Sequence, residues 1–291
     1  MTETTPLEFT GERFTPECVR EMAYEHWHRY AWAARLVADR VVVDAACGEG
    51  YGSELLSRSA RRVTGIDIDA RSIEHARRRY ASERLEFECA SCLDLPVADH
   101  SADVVVSFET LEHLAEHDAL MGEFRRVLKP DGFLLISSPD RKTYSDETGY
   151  ANPFHVRELY RREFERLLDG HFPAWKLLGQ KLMFVSALWA LDGQGRVQWL
   201  SDDAEPPASE HQPVWPPLYF IAAAAATESA LPDLPGVSLY GDRSESVYGH
   251  YNDEVGKHIR AGELLAEREA EIADLRRRLA RPWWRRWFAR A

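Results

Sequence analysis

The 291-residue chain is poor in cysteine, and its four thiols, Cys18, Cys47, Cys89 and Cys92, all lie in the first third. Cys89 and Cys92 form one CxxC, but neither a second pair nor suitably spaced histidines complete a zinc set, so the thiols read as buried or idle, reduced groups and no metal is expected. Long apolar runs are missing as well. None reaches the roughly 18 residues that span a bilayer, and the opening MTETTPLEFTGERF has neither the charged nor the apolar region of a signal peptide. Together these absences predict a cytoplasmic protein. Basic charge is scarce except at one end: the net charge is −12, and Leu275 to Ala291 holds seven arginines and no acid, so removing that +7 leaves −19 on the remainder. A body so acidic excludes nucleic-acid binding as its main business, whereas the tail can attract an anionic lipid surface.

What is present is a globular composition, 45% hydrophobic and 11% aromatic, enough for one catalytic-size domain plus an appendage. Residues 1–40 read as an N-terminal cap segment whose MAYEHWHRYAWAARLVA has apolar positions at helical spacing. From 41 to 230 strands and helices alternate. Strands are predicted at Val41–Ala45, Arg62–Asp67, Leu85–Cys89 and Ala102–Phe108 and in GFLLISS, with helices near 50–59, 70–80 and 111–128 between them. That alternation implies a parallel, doubly wound sheet. A helix in VRELYRREFERLLDG and strands in AWKLLGQKLMFV and LYFIAAAA follow. The stretch between those two strands, with Trp189, Trp199, Asp202 and Asp203, reads as a substrate lid or an inert insertion.

Residues 231–252 are rich in proline, glycine and polar groups and read as a linker, and 253–291 as a helix with a basic-aromatic tail. Ala261, Leu265, Ile272, Leu275 and Leu279 fall at heptad-like steps that Arg268 interrupts. A short coiled coil forming a homo-oligomer and a solvated helix are the two readings. In PWWRRWFAR, Trp283, Trp284, Trp287 and Phe288 share a helical face with Arg285 and Arg286 flanking or opposite, the pattern of an interfacial membrane anchor or of a clamp onto protein.

The chemistry centres on VVVDAACGEGYGS. A buried strand ends near Asp44, and Gly48, Gly50 and Gly52 occupy a strand-to-helix turn where main chain can touch a nucleotide-like ligand. A dinucleotide fingerprint counted from Gly48 would need glycine where Ser53 stands. Asp67, 19 residues after Gly48, suits both ribose hydroxyls in either enzyme class. Past the fourth strand, Glu109 sits at the carboxyl edge of the sheet and His113 one helical turn on. Glu109 is a cofactor or substrate contact or a first-turn acid; His113 and His155 are candidate bases or packing residues; Tyr24, Glu25 and His28 either close the pocket or simply pack.

Taken in order, DAACGEGYG, GIDID, LDLP, ADVVVSFETLEHL and LKPDGFLLISSP resemble the class I S-adenosylmethionine-dependent methyltransferases across roughly Val41 to Pro139. The resemblance implies a Rossmann-like, mostly parallel seven-stranded sheet with a C-terminal helical extension, S-adenosylmethionine as methyl donor and S-adenosylhomocysteine as product. It assigns Asp44 and the turn Ala46, Cys47, Gly48 and Gly50 to the methionine part, Asp67 to the ribose and Ile68 to the adenine face, with Phe108 also at the cofactor. Ser91, with Cys92 and Leu93 beside it, stands where the family commonly has an acid for the adenine amine, and Ala46 replaces the usual first glycine. The flanks FTGERFTPE, YEHWHRY and SSPDRKTYSDETGYANPFHVRELY resemble methyltransferases of bacterial polysaccharide and O-antigen biosynthesis, some of which carry a coiled coil and a membrane-seeking tail. That implies O-methylation of a saccharide or saccharide-linked group near the inner membrane face. A small-molecule O- or N-methyltransferase of secondary metabolism or quinone type and a non-catalytic scaffold with a vestigial pocket are the alternatives.

Overall fold

Three β-branched residues in a row build the middle of the sheet. In the computed structural model, which describes residues 15–16, 21–80, 82–183, 185, 215–241 and 244–280, Val41–Ala45 (β1) pairs in parallel with Arg62–Asp67 (β2) and Ala102–Ser107 (β4). Leu85–Cys89 (β3) continues the parallel sheet beyond β2 and Leu128–Pro139 (β5) beyond β4. Ala174–Gln180 (β6) and Tyr219–Ala225 (β7) finish the edge, with β7 antiparallel to both its neighbours. The order β3-β2-β1-β4-β5-β7-β6 is the mostly parallel, Rossmann-like sheet that the resemblance implies, and it reverses between β1 and β4.

Strand pleating sends alternate residues to opposite layers. Val42, Val104, Val106, Phe133 and Leu135 join a core with helices Glu21–Ala34 (α1), Tyr51–Ser57 (α2) and Ala70–Arg79 (α3). Val43, Val105, Leu134 and Ile136 join the other core, against His117–Val127 (α4) and Arg161–His171 (α5). Burial on both faces explains why these strands are apolar runs without polar alternation. Phe124 on α4 is fully buried in the second core. Phe124→Ala is expected to cost about 3–5 kcal/mol, measured as the shift in a denaturant midpoint.

Three boundaries differ from the sequence reading, two of them because the Glu112 carbonyl finds distant partners and the third because two leucines pack on the core. The helix expected from Leu111 is broken: Leu111–His113 is one 3₁₀ turn, and α4 starts only at His117. The Glu112 carbonyl accepts the N–H groups of Val156 (2.8 Å) and Arg157 (3.0 Å), so it is not spent on a helical bond. The same two bonds hold Val156 and Arg157 out of α5, which begins at Arg161, where the Glu163 carboxylate accepts the Tyr160 N–H at 3.0 Å. Leu231 and Leu234, within the expected linker, pack against the first core.

The chain divides into two compact units, 1–240 and 241–291. In the second, Ser246–Ala280 (α6) starts seven residues before the expected Asp253, with the Gly249 N–H reaching the Glu245 carbonyl at 2.8 Å. Leu265, Ile272, Leu275 and Leu279 are exposed along it. The lid stretch with Trp189, Trp199, Asp202 and Asp203, and the tail with Trp283, Trp284, Arg285, Arg286 and Trp287, lie outside the described residues. Among the described residues no helix is long and apolar enough to cross a membrane.

Candidate functional site

Past the end of β1 the backbone turns left-handed at Ala46 (φ 63°), Gly48 (58°) and Gly50 (95°). A Cβ on Gly50 would lie 2.8 Å from both the Ala76 Cβ and the Phe87 ring, so only glycine fits there. Ala46 accepts the conformation at a cost of about 1–2 kcal/mol, the kind of strain that collects where backbone is shaped for a ligand. The turn is tied to the next strand by Asp67, whose Oδ2 accepts the Gly48 N–H at 2.8 Å while Oδ1 accepts the Asp69 N–H at 2.9 Å.

A cleft of about 230 Å³ opens above this turn and is lined by Ala46, Gly48, Asp67, Ile68, Ser91, Cys92, Phe108, Glu109 and His113. These nine come from the carboxyl ends of four parallel strands, β1 to β4, and the segments after them. Ile68 presents its side chain to the opening at 75% exposure. Cys47 and Gly50 lie behind the lining, and Leu93 sets the next loop by donating its N–H to Ser91 Oγ at 3.1 Å. Sequence reasoning missed His26, Tyr30, Tyr51, Thr110 and Leu114, which line the same cleft. Two of them, His26 and Tyr30, sit on the aromatic helix α1, where only their helical spacing marked them.

Asp44 is fully buried under the turn and takes no part in the lining; its carboxylate accepts from Tyr30 Oη (3.1 Å) and Ser53 Oγ (2.6 Å). Burial pushes its pKa up to about 7 against the pull of those two hydrogen bonds. A carboxyl raised above its unfolded value near 3.9 favours the fold in its neutral form, so its contribution is full below about pH 4 and is lost as pH rises towards 7. Asp44→Asn is therefore expected to flatten the melting temperature of the chain relative to the native protein across that window, measured as a difference between two pH series.

Glu109, in a left-handed conformation (φ 53°), donates its N–H to Ser137 Oγ at 2.9 Å, and its Oε1 accepts from the Ser137 hydroxyl at 3.0 Å. Arg29 Nη1 stands 3.3 Å from the same Oε1, donates to Gln180 Oε1 at 2.9 Å, and the guanidinium lies 4.8 Å over the Tyr219 ring. The guanidinium is buried, with Nε and Nη2 unpartnered. Arg29 also lines a second, larger cavity of about 860 Å³, so the Arg29–Glu109 pair joins the two spaces. Tyr24, Glu25 and His28, expected at the donor pocket, line this larger cavity instead, because their turn of α1 faces β6 and the 234–240 segment. Burial pushes the Glu25 carboxyl up to about 7 despite Arg29.

His113 lines the cleft and His155 does not, yet their rings are 5.1 Å apart and edge to face. His113 Nδ1 meets the Phe154 carbonyl at 3.0 Å, and His155 Nδ1 meets Glu158 Oε1 at 2.6 Å. Cys47, Cys89 and Cys92 are free thiols, and burial raises the pKa of Cys47 and Cys92.

Residues 43–136 match the family model described as a methyltransferase domain. A relative from Mycolicibacterium smegmatis named "Probable S-adenosylmethionine-dependent methyltransferase" is 40% identical over 166 residues, 56% of this chain and 64% of that protein. The match therefore spans less than two thirds of the relative's length. A ubiquinone biosynthesis O-methyltransferase of Neisseria meningitidis is 35% identical over 109 residues, covering 36% of this chain and 46% of the relative. Among solved structures, a chain from the complex of the Haloferax volcanii Trm112 methyltransferase activator with a methyltransferase shares the fold at a TM-score of 0.52 and 20% identity, covering 70% of this chain and 92% of that one. Residues 43–136 thus match a methyltransferase domain in sequence and supply the first five strands of the seven-stranded, mostly parallel sheet.

Proposed function

We propose that the chain transfers a methyl group from S-adenosylmethionine to an oxygen of a saccharide or saccharide-linked acceptor. The observation that carries the donor half is the Asp67 carboxylate, buried at the end of β2, facing the cleft and locking the left-handed turn through Gly48. When bound, S-adenosylmethionine supplies a methyl group on a cationic sulfur. Asp67 would accept from the ribose hydroxyls, Ile68 and Phe108 would cover the base, Ser91 and Cys92 would edge it, and the Ala46–Gly50 turn would hold the methionine part. Holding donor and acceptor at near-attack distance supplies most of the acceleration. A neutral hydroxyl still has to lose its proton, and His113, which lines the cleft, would take it.

The larger cavity suits the acceptor. Tyr24, Trp32, Trp215 and Tyr240 offer ring faces to the C–H surfaces of a sugar, while Glu25, Arg29 and Gln180 offer polar groups for its hydroxyls. Leu177, Leu178, Met183 and Val185 in the same lining favour a second reading, an apolar phenolic or quinone-type acceptor, as does the likeness to the ubiquinone O-methyltransferase. Incorporation of labelled methyl into oligosaccharides against phenolic acceptors decides between them: label in glycan supports the first reading and label only in phenols overturns it. His113→Gln is expected to lower kcat about 10²–10⁴-fold with donor Kd unchanged; a near-native kcat would indicate an acceptor already anionic. The arginine- and tryptophan-rich tail supports a location at an anionic membrane face. Equal liposome sedimentation with and without residues 281–291 would refute that.

A further inference from the structure

Beneath the cleft lies a cluster that the donor site does not use. One ligating atom from each of Glu112, His113 and His155 lies within 4.8 Å of the other two. Glu112 is fully buried, and both of its carboxylate oxygens lack a hydrogen-bond partner. A buried carboxylate without a donor is costly, and it persists where a cation or another donor serves it. The two imidazoles are already oriented for such a role. His113 donates Nδ1–H to the Phe154 carbonyl at 3.0 Å, and His155 donates Nδ1–H to the Glu158 carboxylate at 2.6 Å, which leaves an Nε2 lone pair on each ring. Outer hydrogen bonds of this kind, to a carbonyl and a carboxylate, fix the tautomer of metal-ligating histidines. The Nε2 of His155 is capped by the Asn152 amide at 2.9 Å, the contact that an ion would replace.

We propose that Glu112, His113 and His155 bind one divalent transition-metal ion of the Zn²⁺ type at the floor of the cleft. Two imidazoles and one carboxylate are a donor set for a borderline-soft divalent ion rather than for Mg²⁺ or Ca²⁺, and three protein ligands leave a coordination position open. Ligand bonds of about 2.0–2.1 Å bring ligating atoms to about 3.3 Å from one another, so loading draws the three side chains together by about 1 Å or more. Because His113 lines the cleft, the open position lies next to where an acceptor hydroxyl would sit. The ion would polarise that oxygen and lower the hydroxyl pKa so that its proton leaves to solvent water in the open cleft, the O–CH3 bond forming as the S–CH3 bond breaks, and His113 would then activate the acceptor as a ligand instead of as the base. This catalytic role rests on the methyltransferase reading; the binding site itself does not.

The test uses the full chain, stripped with a chelator and dialysed against buffered Zn²⁺, with bound metal counted by atomic emission and S-adenosylmethionine affinity measured in parallel. One equivalent of Zn²⁺ per chain is expected, lost in Glu112→Gln and His155→Gln and weakened about 10–100-fold in Glu158→Gln, with donor affinity retained in all three. No stoichiometric ion, or equal binding by the native protein and all three variants, overturns the site. Should Glu112→Gln fail to fold, His155→Gln and Glu158→Gln decide the matter. Loss of donor binding with metal binding intact would instead fail the methyltransferase reading, so the two failures are distinguishable.

Discussion

Replacing Asp67 with alanine is expected to weaken S-adenosylmethionine binding by about two orders of magnitude or more. The native carboxylate is the acceptor that closes the turn: Oδ2 takes the Gly48 N–H at 2.8 Å and Oδ1 the Asp69 N–H at 2.9 Å. Alanine removes the acceptor offered to the ribose hydroxyls and also frees the turn whose left-handed residues are stable only while anchored. Hydrogen bonds to a charged group contribute about 1.5–3 kcal/mol each, so two lost at the ribose correspond to a Kd change of about 10²–10⁴-fold. Calorimetric titration measures it, and a Kd within threefold of the native one would remove Asp67 from the donor site. Were binding lost while the biological role survived, the scaffold reading would replace the enzyme.

Gly52→Ala is expected to destabilise the chain by about 3 kcal/mol, lowering the melting temperature by about 6–12 °C. A Cβ on Gly52 would fall within 2.6 Å of three ring atoms of Tyr30, which is only 4% exposed and wedged edge to face between Tyr51 and Phe108 at 5.2 Å from each. The ring has nowhere to swing. Moving it would also break its hydrogen bond to Asp44 and tilt Phe108 in the cleft lining, so donor affinity should fall together with stability. Gly122→Ala, in the middle of α4, is the control: nothing lies within 4 Å of its Cβ, and the better helix former should stabilise the chain by about 0.5–1 kcal/mol. Equal melting temperatures for the two variants would refute the packing argument.

Much of this molecule was legible without coordinates wherever the cause is local. Val41 to Val43 announce a buried strand because β-branched side chains fit a sheet covered on both faces, and the glycines after Asp44 announce a left-handed turn because other residues resist it. From those two features and the later motifs came the seven strands, their alternation with helices and the assignment of Asp67 to the cleft. Distant partners decided the rest. The Glu112 carbonyl bonds Val156 and Arg157 and thereby ends one helix and delays another, which the helix-compatible sequence of LEHLAEH gave no means of foreseeing. Arg29 meets Gln180 across 151 positions, and with Glu109 it joins two cavities that the sequence read as one. His155, 42 positions beyond His113, comes within ring contact of it only when the segment between β5 and α5 folds back over the 3₁₀ turn. Backbone preference and side-chain period act over a few residues and are written in the order of amino acids. Burial, orphaned carboxylates and metal-ligand geometry depend on which surfaces the sheet brings face to face, and only the tertiary structure determines that.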